Sequence, residues 1–454
     1  MNRILLLSAA LAAAVLLSAS AAGAATYVPG EVIVKYRDGT SSAVQQDVAQ
    51  STGTETLLEA PGGTAQLEIE DGDSVRQTVD ELQSDPTVAY ARPNYVARAS
   101  GFEPNDPAFP RQWNLSGTFG VNMPEAWDLA AARGAPGGAG AVVAVLDTGV
   151  AYQSWWRYRR VPDLRRFVPG YDFVDFDRHP NDQNGHGTHV SGTIAQTTNN
   201  AVGAAGVAYM AKIMPVRVLD ADGAGDTFSI SRGIRFAARR KVDVINLSLE
   251  FDSSVRASQI PDIVSALRYA RTKGVVVVAA AGNQADTLVA YPARARSVVA
   301  VAATTIRGCQ ADYSNSGNHI DLAAPGGGVD AANADNAYDA AVCRPGEGGP
   351  FIFQQTFTTS VRKFGLPRGY EGTSMASPHV AGAAALVMAS QRLGANPGPA
   401  DVERLLESTA RDVGAPDFDD RYGNGLLDVA AALRYPAGTP PAGQAPKRRQ
   451  SPRS

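Results

Sequence analysis

A serine becomes a useful nucleophile only beside a base, an orienting acid and a donor for the oxyanion it creates. This 454-residue chain carries a candidate for each. Ser374 lies in Gly372-Thr373-Ser374-Met375-Ala376-Ser377-Pro378-His379-Val380-Ala381-Gly382, a glycine-permitted turn running into the apolar stretch 381–388. The pattern reads as the mouth of a helix, whose positive dipole end favours the oxyanions of acyl transfer. Pro378 is tolerated on this reading because the first helical N–H groups have no intrahelical acceptor. The chemistry such residues allow is attack of a hydroxyl on a carbonyl, with a neighbouring side chain carrying the proton.

The acid is Asp147. It closes Ala141-Val142-Val143-Ala144-Val145-Leu146, a continuous apolar run that reads as a buried parallel strand. A strand's carboxyl end is where open α/β sheets place their chemistry. The base is His186, flanked by glycines in Asn184-Gly185-His186-Gly187-Thr188-His189 at the start of another helix. The donor is Asn283, delivered by the buried strand that runs from Gly274 to Gly282; its amide can bind an oxyanion without adding charge. His189 and His379 fall inside these motifs but point along helices and read as structural. For His319, in a polar turn, the sequence argues no role.

The chain order Asp147, His186, Ser374 and the serine motif Gly-x-Ser-x-Ala match subtilisin, and not the chymotrypsin or α/β-hydrolase orders. On these residues the chain resembles the subtilisin-like serine proteases (subtilases), and their thermitase-like branch in particular, over about 104–433. The resemblance implies a secreted serine endopeptidase acting on proteins or peptides. Asp147 would orient, His186 would act as general base and then acid, and Ser374 would attack. Asn283 and the Ser374 backbone N–H would form the oxyanion hole.

Composition and length frame this reading. The chain is 44% hydrophobic, long enough for two or three domains, and its net charge of −4 suggests no nucleic-acid or membrane-surface partner. Met1-Asn2-Arg3, the apolar Ile4 to Leu17 and Ala22-Gly23-Ala24-Ala25 read as a signal peptide over 1–25. No later segment has the unbroken apolar length of a membrane span, so a soluble monomer is expected, extracellular or periplasmic. In an oxidising space the two cysteines, Cys309 and Cys343, could pair or stay free, and spacing alone does not show that they approach.

Residues 26–100 alternate strand, helix, strand, strand, helix, strand, a ferredoxin-like α+β plan. They resemble a subtilase propeptide, which would serve as folding template and as inhibitor. Beyond them a catalytic domain is expected over 101–434, with strands near 141–147, 213–219, 242–249, 274–281 and 297–303. Helices are expected near 187–197, 229–240, 257–273, 374–390 and 399–409. That alternation predicts a doubly wound parallel sheet (α/β) covered on both faces. Residues 435–454, Pro-rich and basic, read as a disordered tail.

Two loops suggest structural Ca²⁺. Asp172, Asp175 and Asp177 place carboxylates at i, i+3 and i+5 outside a helix, the hard oxygen density Ca²⁺ takes. The loop resembles the second calcium loop of thermitase-like enzymes, which adds the Asn181 side chain and the His179 carbonyl. Residues 197–204 resemble the family's first calcium loop. That resemblance implies the Asn200 side chain and the carbonyls of Thr197, Val202 and Ala204, with Asp163 and Asp106 supplying charge.

The chain departs from the family where Asn246-Leu247-Ser248-Leu249-Glu250-Phe251 carries Glu250 and Phe251 in place of a glycine pair beside the first specificity pocket. A carboxylate there is expected to charge the pocket or to tilt outward. Insertions at 153–160 and 327–370 are expected to reshape the cleft, the second on its leaving-group side. They leave open a dedicated processing protease of narrow specificity. A catalytically silent binding protein is the third reading, opposed by the intact set Asp147, His186, Asn283 and Ser374.

Overall fold

The computed structural model describes residues 27–95, 101–332 and 342–436, and the chain divides into two units after residue 100. The signal segment 1–25, the junction 96–100 and the tail from 437 lie outside the described residues. In the first unit β1 (Tyr27–Tyr36), α1 (Ser42–Ser51), β2 (Thr54–Ala60), β3 (Thr64–Ile69), α2 (Val75–Ser84) and β4 (Val88–Tyr95) follow the expected plan. Its antiparallel sheet has the order β2-β3-β1-β4. Both helix starts are chemically marked: the Ser41 hydroxyl accepts from the Val44 N–H, and Ser74 and Gln77 cap each other reciprocally.

The second unit opens with α3 (Trp113–Ser116) and α4 (Met123–Ala132) and is built on a seven-stranded sheet. Its strands are β5 (Val142–Asp147), β6 (Tyr171–Asp172), β7 (Lys212–Arg217), β8 (Val244–Leu247), β9 (Val276–Ala280), β10 (Val299–Thr304) and β11 (Leu322–Pro325). The order is β11-β10-β9-β8-β5-β7-β6, and every adjoining pair is parallel. Parallel strands buried on both faces need apolar residues at every position, and β5 shows why. Val143 and Val145 pack with Val190 and Ile194 of α5 (His186–Ala195) and Val380 of α8 (Thr373–Ala389). Ala144 and Leu146 point the other way, onto Ile230 and Ile234 of α6 (Thr227–Arg239) and Ile263 of α7 (Pro261–Thr272).

The chain runs from β5 to β7 on one side and then crosses to β8 on the other. The carboxyl ends of β5 and β8 therefore flank the point where the winding reverses, the place where open parallel sheets bind their ligands. One expected boundary shifts, and two strands of this sheet were missed. The helix expected from 257 begins at Pro261, because Ala257–Gln259 forms a separate 3₁₀ turn and proline suits a first helical position. The short strands β6 and β11 carry too few residues to show a pattern.

Cys309 and Cys343 form a disulfide, with Cα atoms 5.7 Å apart. The 34-residue separation makes the cross-link worth roughly 4 kcal/mol in chain entropy. Reduction under native conditions is expected to lower the melting temperature by roughly 6 °C. A melting curve that stays put after thiol titration proves reduction would refute this.

Candidate active site

Asp147 is the last residue of β5 and is fully buried. Its Oδ1 accepts from His186 Nδ1 at 2.8 Å and from the Thr148 N–H at 2.7 Å. With its proton held on Nδ1, the ring presents the Nε2 lone pair as the basic site. The His186 side chain is 26% exposed. Burial by itself lowers the His186 pKa, but Asp147 and, farther off, Asp182 outweigh it and hold it above the usual value.

Sequence reading missed Asp182. Fully buried, its Oδ1 accepts from the Thr148 hydroxyl and the N–H groups of Asn184 and Gly185, while its Oδ2 accepts from the N–H and hydroxyl of Thr188. One carboxylate thus ties the end of β5 to the turn that launches α5. The signal was the Asp-x-Asn-Gly ahead of the helix, an Asx-type turn. Gly187 completes the approach: a Cβ there would meet the Gly149 carbonyl oxygen at 2.2 Å and the Asp147 Cβ at 3.0 Å.

Ser374 is the second residue of α8, after Gly372 at φ +143°. Its hydroxyl donates to the Ser248 carbonyl at 3.3 Å, and the Ser248 hydroxyl donates back to the Ser374 carbonyl at 2.8 Å. This exchange corrects the reading of Pro378. Counting from Thr373, Pro378 is the sixth helical residue, past the turn where an N–H is dispensable. It strips Ser374 of its i+4 donor, and Ser248, just beyond β8, supplies the replacement.

Asn283 follows the end of β9. Its Oδ1 accepts from the Thr373 N–H at 2.8 Å and hydroxyl at 3.0 Å, so the backbone of the serine turn fixes which end of the amide is which. Nδ2 donates to Glu250 Oε2 at 3.2 Å, and Gln284 Nε2 donates to Glu250 Oε1 at 2.8 Å. Glu250 is half-buried, and burial pushes its pKa up to about 7. Its carboxylate is thus engaged by two amides at the mouth of the serine turn.

The other two motif histidines are structural in their contacts. His189 meets the Ile352 carbonyl through Nε2 at 3.0 Å and stacks on Tyr370; burial pulls its pKa down to about 3. His379 bonds the Met375 carbonyl and Asn114, with its pKa near 4 for the same reason. The 327–370 insertion, outside its undescribed 333–341, packs beneath α5. Ile352 joins the core, and the hydroxyl of Thr356, opening β12 (Thr356–Ser360), donates to the Gly185 carbonyl beside His186. The 153–160 insertion lays Trp155 flat on His179, 4.0 Å between ring centroids, and leaves Trp156 exposed.

The structure brings Asp106, Asp163 and Asn200 together. Asp106 accepts from the N–H groups of Asn199 and Asn200, and Asp163 accepts from the side chains of Asn200 at 2.6 Å and Gln196 at 2.8 Å. Both acids are buried, and among the described residues neither has a cationic partner. Burial pushes Asp163 up to about 6, with Asp106 adding to it, and Gln196 Oε1 is buried without a partner. Two buried carboxylates held by neutral donors suit a hard cation.

The other loop differs. Arg217 bonds Asp172 at 2.8 Å and Asp175 at 2.5 Å, supplying charge that sequence reading assigned to a metal. Asp177 accepts from the His179 N–H, the His179 carbonyl accepts from the Asn181 N–H, and both Asn181 side-chain atoms are buried without a partner. Among the described residues no three acidic, histidine or cysteine side chains converge as a metal-ligand group. Either loop would have to draw on amide and carbonyl oxygens, such as those of Thr197, Val202 and Ala204.

A parallel sheet that gathers a buried acid, an imidazole and a helix-borne serine at the ends of its central strands has the architecture of a serine hydrolase. The chain belongs to the subtilase family, which matches residues 138–425, and is a serine endopeptidase; a fervidolysin N-terminal prodomain matches 13–94. It is 34% identical to a thermophilic serine proteinase of Bacillus sp. (strain AK1), over 87% of this chain and 86% of that one. It is 36% identical to thermitase of Thermoactinomyces vulgaris, over 74% of this chain and all of that one. A solved protease of Pseudoalteromonas arctica is similar at 35% identity and a TM-score of 0.59, over 73% of this chain and 98% of the other.

Proposed function

We propose that Ser374, His186, Asp147 and Asn283 carry out peptide-bond hydrolysis through an acyl-enzyme, in a secreted protease made as a prepro-form that cuts its own propeptide. The observation that carries the reading is the bond from His186 Nδ1 to the buried Asp147, which leaves Nε2 as the base. On substrate binding the Ser374 hydroxyl leaves the Ser248 carbonyl and gives its proton to Nε2 as Oγ attacks the scissile carbonyl. The oxyanion is met by the Asn283 amide and the Ser374 N–H. His186 then protonates the leaving amine, and water repeats the sequence on the ester. Asp147 stabilises the imidazolium without taking its proton.

The propeptide reading rests on the prodomain match and on the β-α-β-β-α-β unit, which would hold the protease silent until cut. Secretion is supported by the signal-like 1–25, the disulfide and the names of relatives: an extracellular protease of Xanthomonas campestris and an extracellular basic protease of Dichelobacter nodosus. Calcium is proposed at Asp106, Asp163 and Asn200, where it would neutralise buried charge and take no part in the chemistry. A second ion at Asp172, Asp177 and Asn181 would bind more weakly, because Arg217 already neutralises part of that loop.

A fluorophosphonate probe is expected to label the matured protein once, on the peptide bearing Ser374. Prior modification of His186 should slow that labelling. Labelling at another serine would overturn the assignment.

A further inference from the structure

In this chain the oxyanion donor is not a free amide. Asn283 has its carbonyl end bound by Thr373, so its two N–H bonds point the other way, and one of them is bound by Glu250. Glu250 is itself braced by Gln284. We propose that Glu250 sets the strength of the oxyanion hole. Its carboxylate holds the Asn283 amide in register, and its charge opposes the oxyanion that this amide must bind. The inference rests on Asn283 being an oxyanion donor.

The electrostatics follow from position. Charge develops on the substrate oxygen one amide away from Glu250, whose half-buried carboxylate is partly shielded from water. A full negative charge so close disfavours a second one by about tenfold or more in rate. A neutral carboxyl can still accept from the Asn283 amide through its carbonyl oxygen, without that penalty. Burial places the ionisation near pH 7, in the working range, opposed only by the Asn283 backbone N–H. The segments meeting here also carry Asp252 and Asp286, each binding a serine hydroxyl (Ser254 and Ser253), together with Glu371 and His186. None of these four contributes to the Glu250 shift.

Two titrations therefore act in opposite senses. His186 must lose its proton to serve as base, so turnover rises with pH through its raised pKa. Glu250 gains charge as pH rises through about 7, so the hole weakens as pH rises. Glu250→Gln removes the second effect and keeps a carbonyl oxygen that can accept from the Asn283 amide, while its NH2 group gives up the bond from Gln284.

The test compares kcat and KM for wild type and Glu250→Gln from pH 5.5 to 9.5, on a peptide with leucine before the scissile bond and on its arginine counterpart. The ratio of variant to wild-type kcat is expected to climb by about tenfold through pH 7 on both peptides, with KM little changed. Glu250→Ala, which removes the brace as well as the charge, should fall below Glu250→Gln in kcat at every pH. Superimposable profiles for Glu250→Gln and wild type would overturn the inference. So would an effect confined to KM of the arginine peptide, which would assign the carboxylate to the specificity pocket. Asn283→Ala separates the underlying reading: if it does not lower kcat by about 10²-fold or more, Asn283 is no donor at all. If Asn283→Ala is slow while the Glu250→Gln profile does not move, only the role of Glu250 fails.

Discussion

Ser374→Ala is expected to lower kcat on a peptide substrate by about 10⁶-fold, the loss known for the serine of a subtilisin. The size follows from the chemistry: without Oγ there is no atom to form the acyl bond, and His186 has no proton to take. The fold should survive, because the bond that replaces the helical donor lost at Pro378 runs from the Ser248 hydroxyl to the backbone carbonyl of residue 374. The substitution deletes only the weaker 3.3 Å return bond. His186→Ala should cost about as much, and the double variant no more than either, since the two act as a unit. The Ser374→Ala protein should also accumulate as an unprocessed precursor. Retained hydrolysis, measured on protein freed of contaminating protease by a tag, would sink the assignment. Additive losses in the double variant would show that the two residues do not share a step.

Chelation is expected to lower the melting temperature by roughly 6 °C, as follows when an ion at about a thousand times its Kd, worth about 4 kcal/mol, is removed from a domain of this size. The charge that makes it so is visible: Asp106 and Asp163 are buried against neutral donors, and burial has already pushed Asp163 up to about 6. Asp163→Ala should abolish most of the response to chelator. Its melting temperature should lie at or above that of the chelated wild type, because removing a buried unpaired carboxylate relieves a desolvation cost that the cation otherwise offsets. Calorimetry with and without Ca²⁺ reads both. A wild-type curve indifferent to chelator, in protein shown to be metal-free, would leave 197–204 as a loop held by hydrogen bonds alone. A variant melting well below the chelated wild type would show that Asp163 stabilises through Gln196 and Asn200 instead.

Much of this protein was legible in its sequence because the information was local. The apolar, valine-rich run before Asp147 reads as a strand buried on both faces, and its strand end follows directly. Gly372 and the apolar stretch after Ser374 mark a helix mouth. Ser74 with Gln77 marks a helix start to the residue. The alternation of strands and helices dictated a parallel sheet, since parallel strands need crossovers.

What tertiary structure decided are the contacts between residues far apart in the chain, for which no periodicity exists. Ser248 and Ser374 lie 126 residues apart, and only their meeting explains how a proline sits in the helix beyond its first turn. Arg217 reaches Asp172 across 45 residues, so a loop that reads as metal-hungry has part of its charge neutralised by a distant strand. Glu250 was legible as a departure from the family, but its direction was not. Whether a carboxylate beside a pocket points at solvent, at substrate or at the oxyanion donor depends on which amides the fold brings to it. Here the fold brings Asn283 and Gln284, from 33 and 34 residues away.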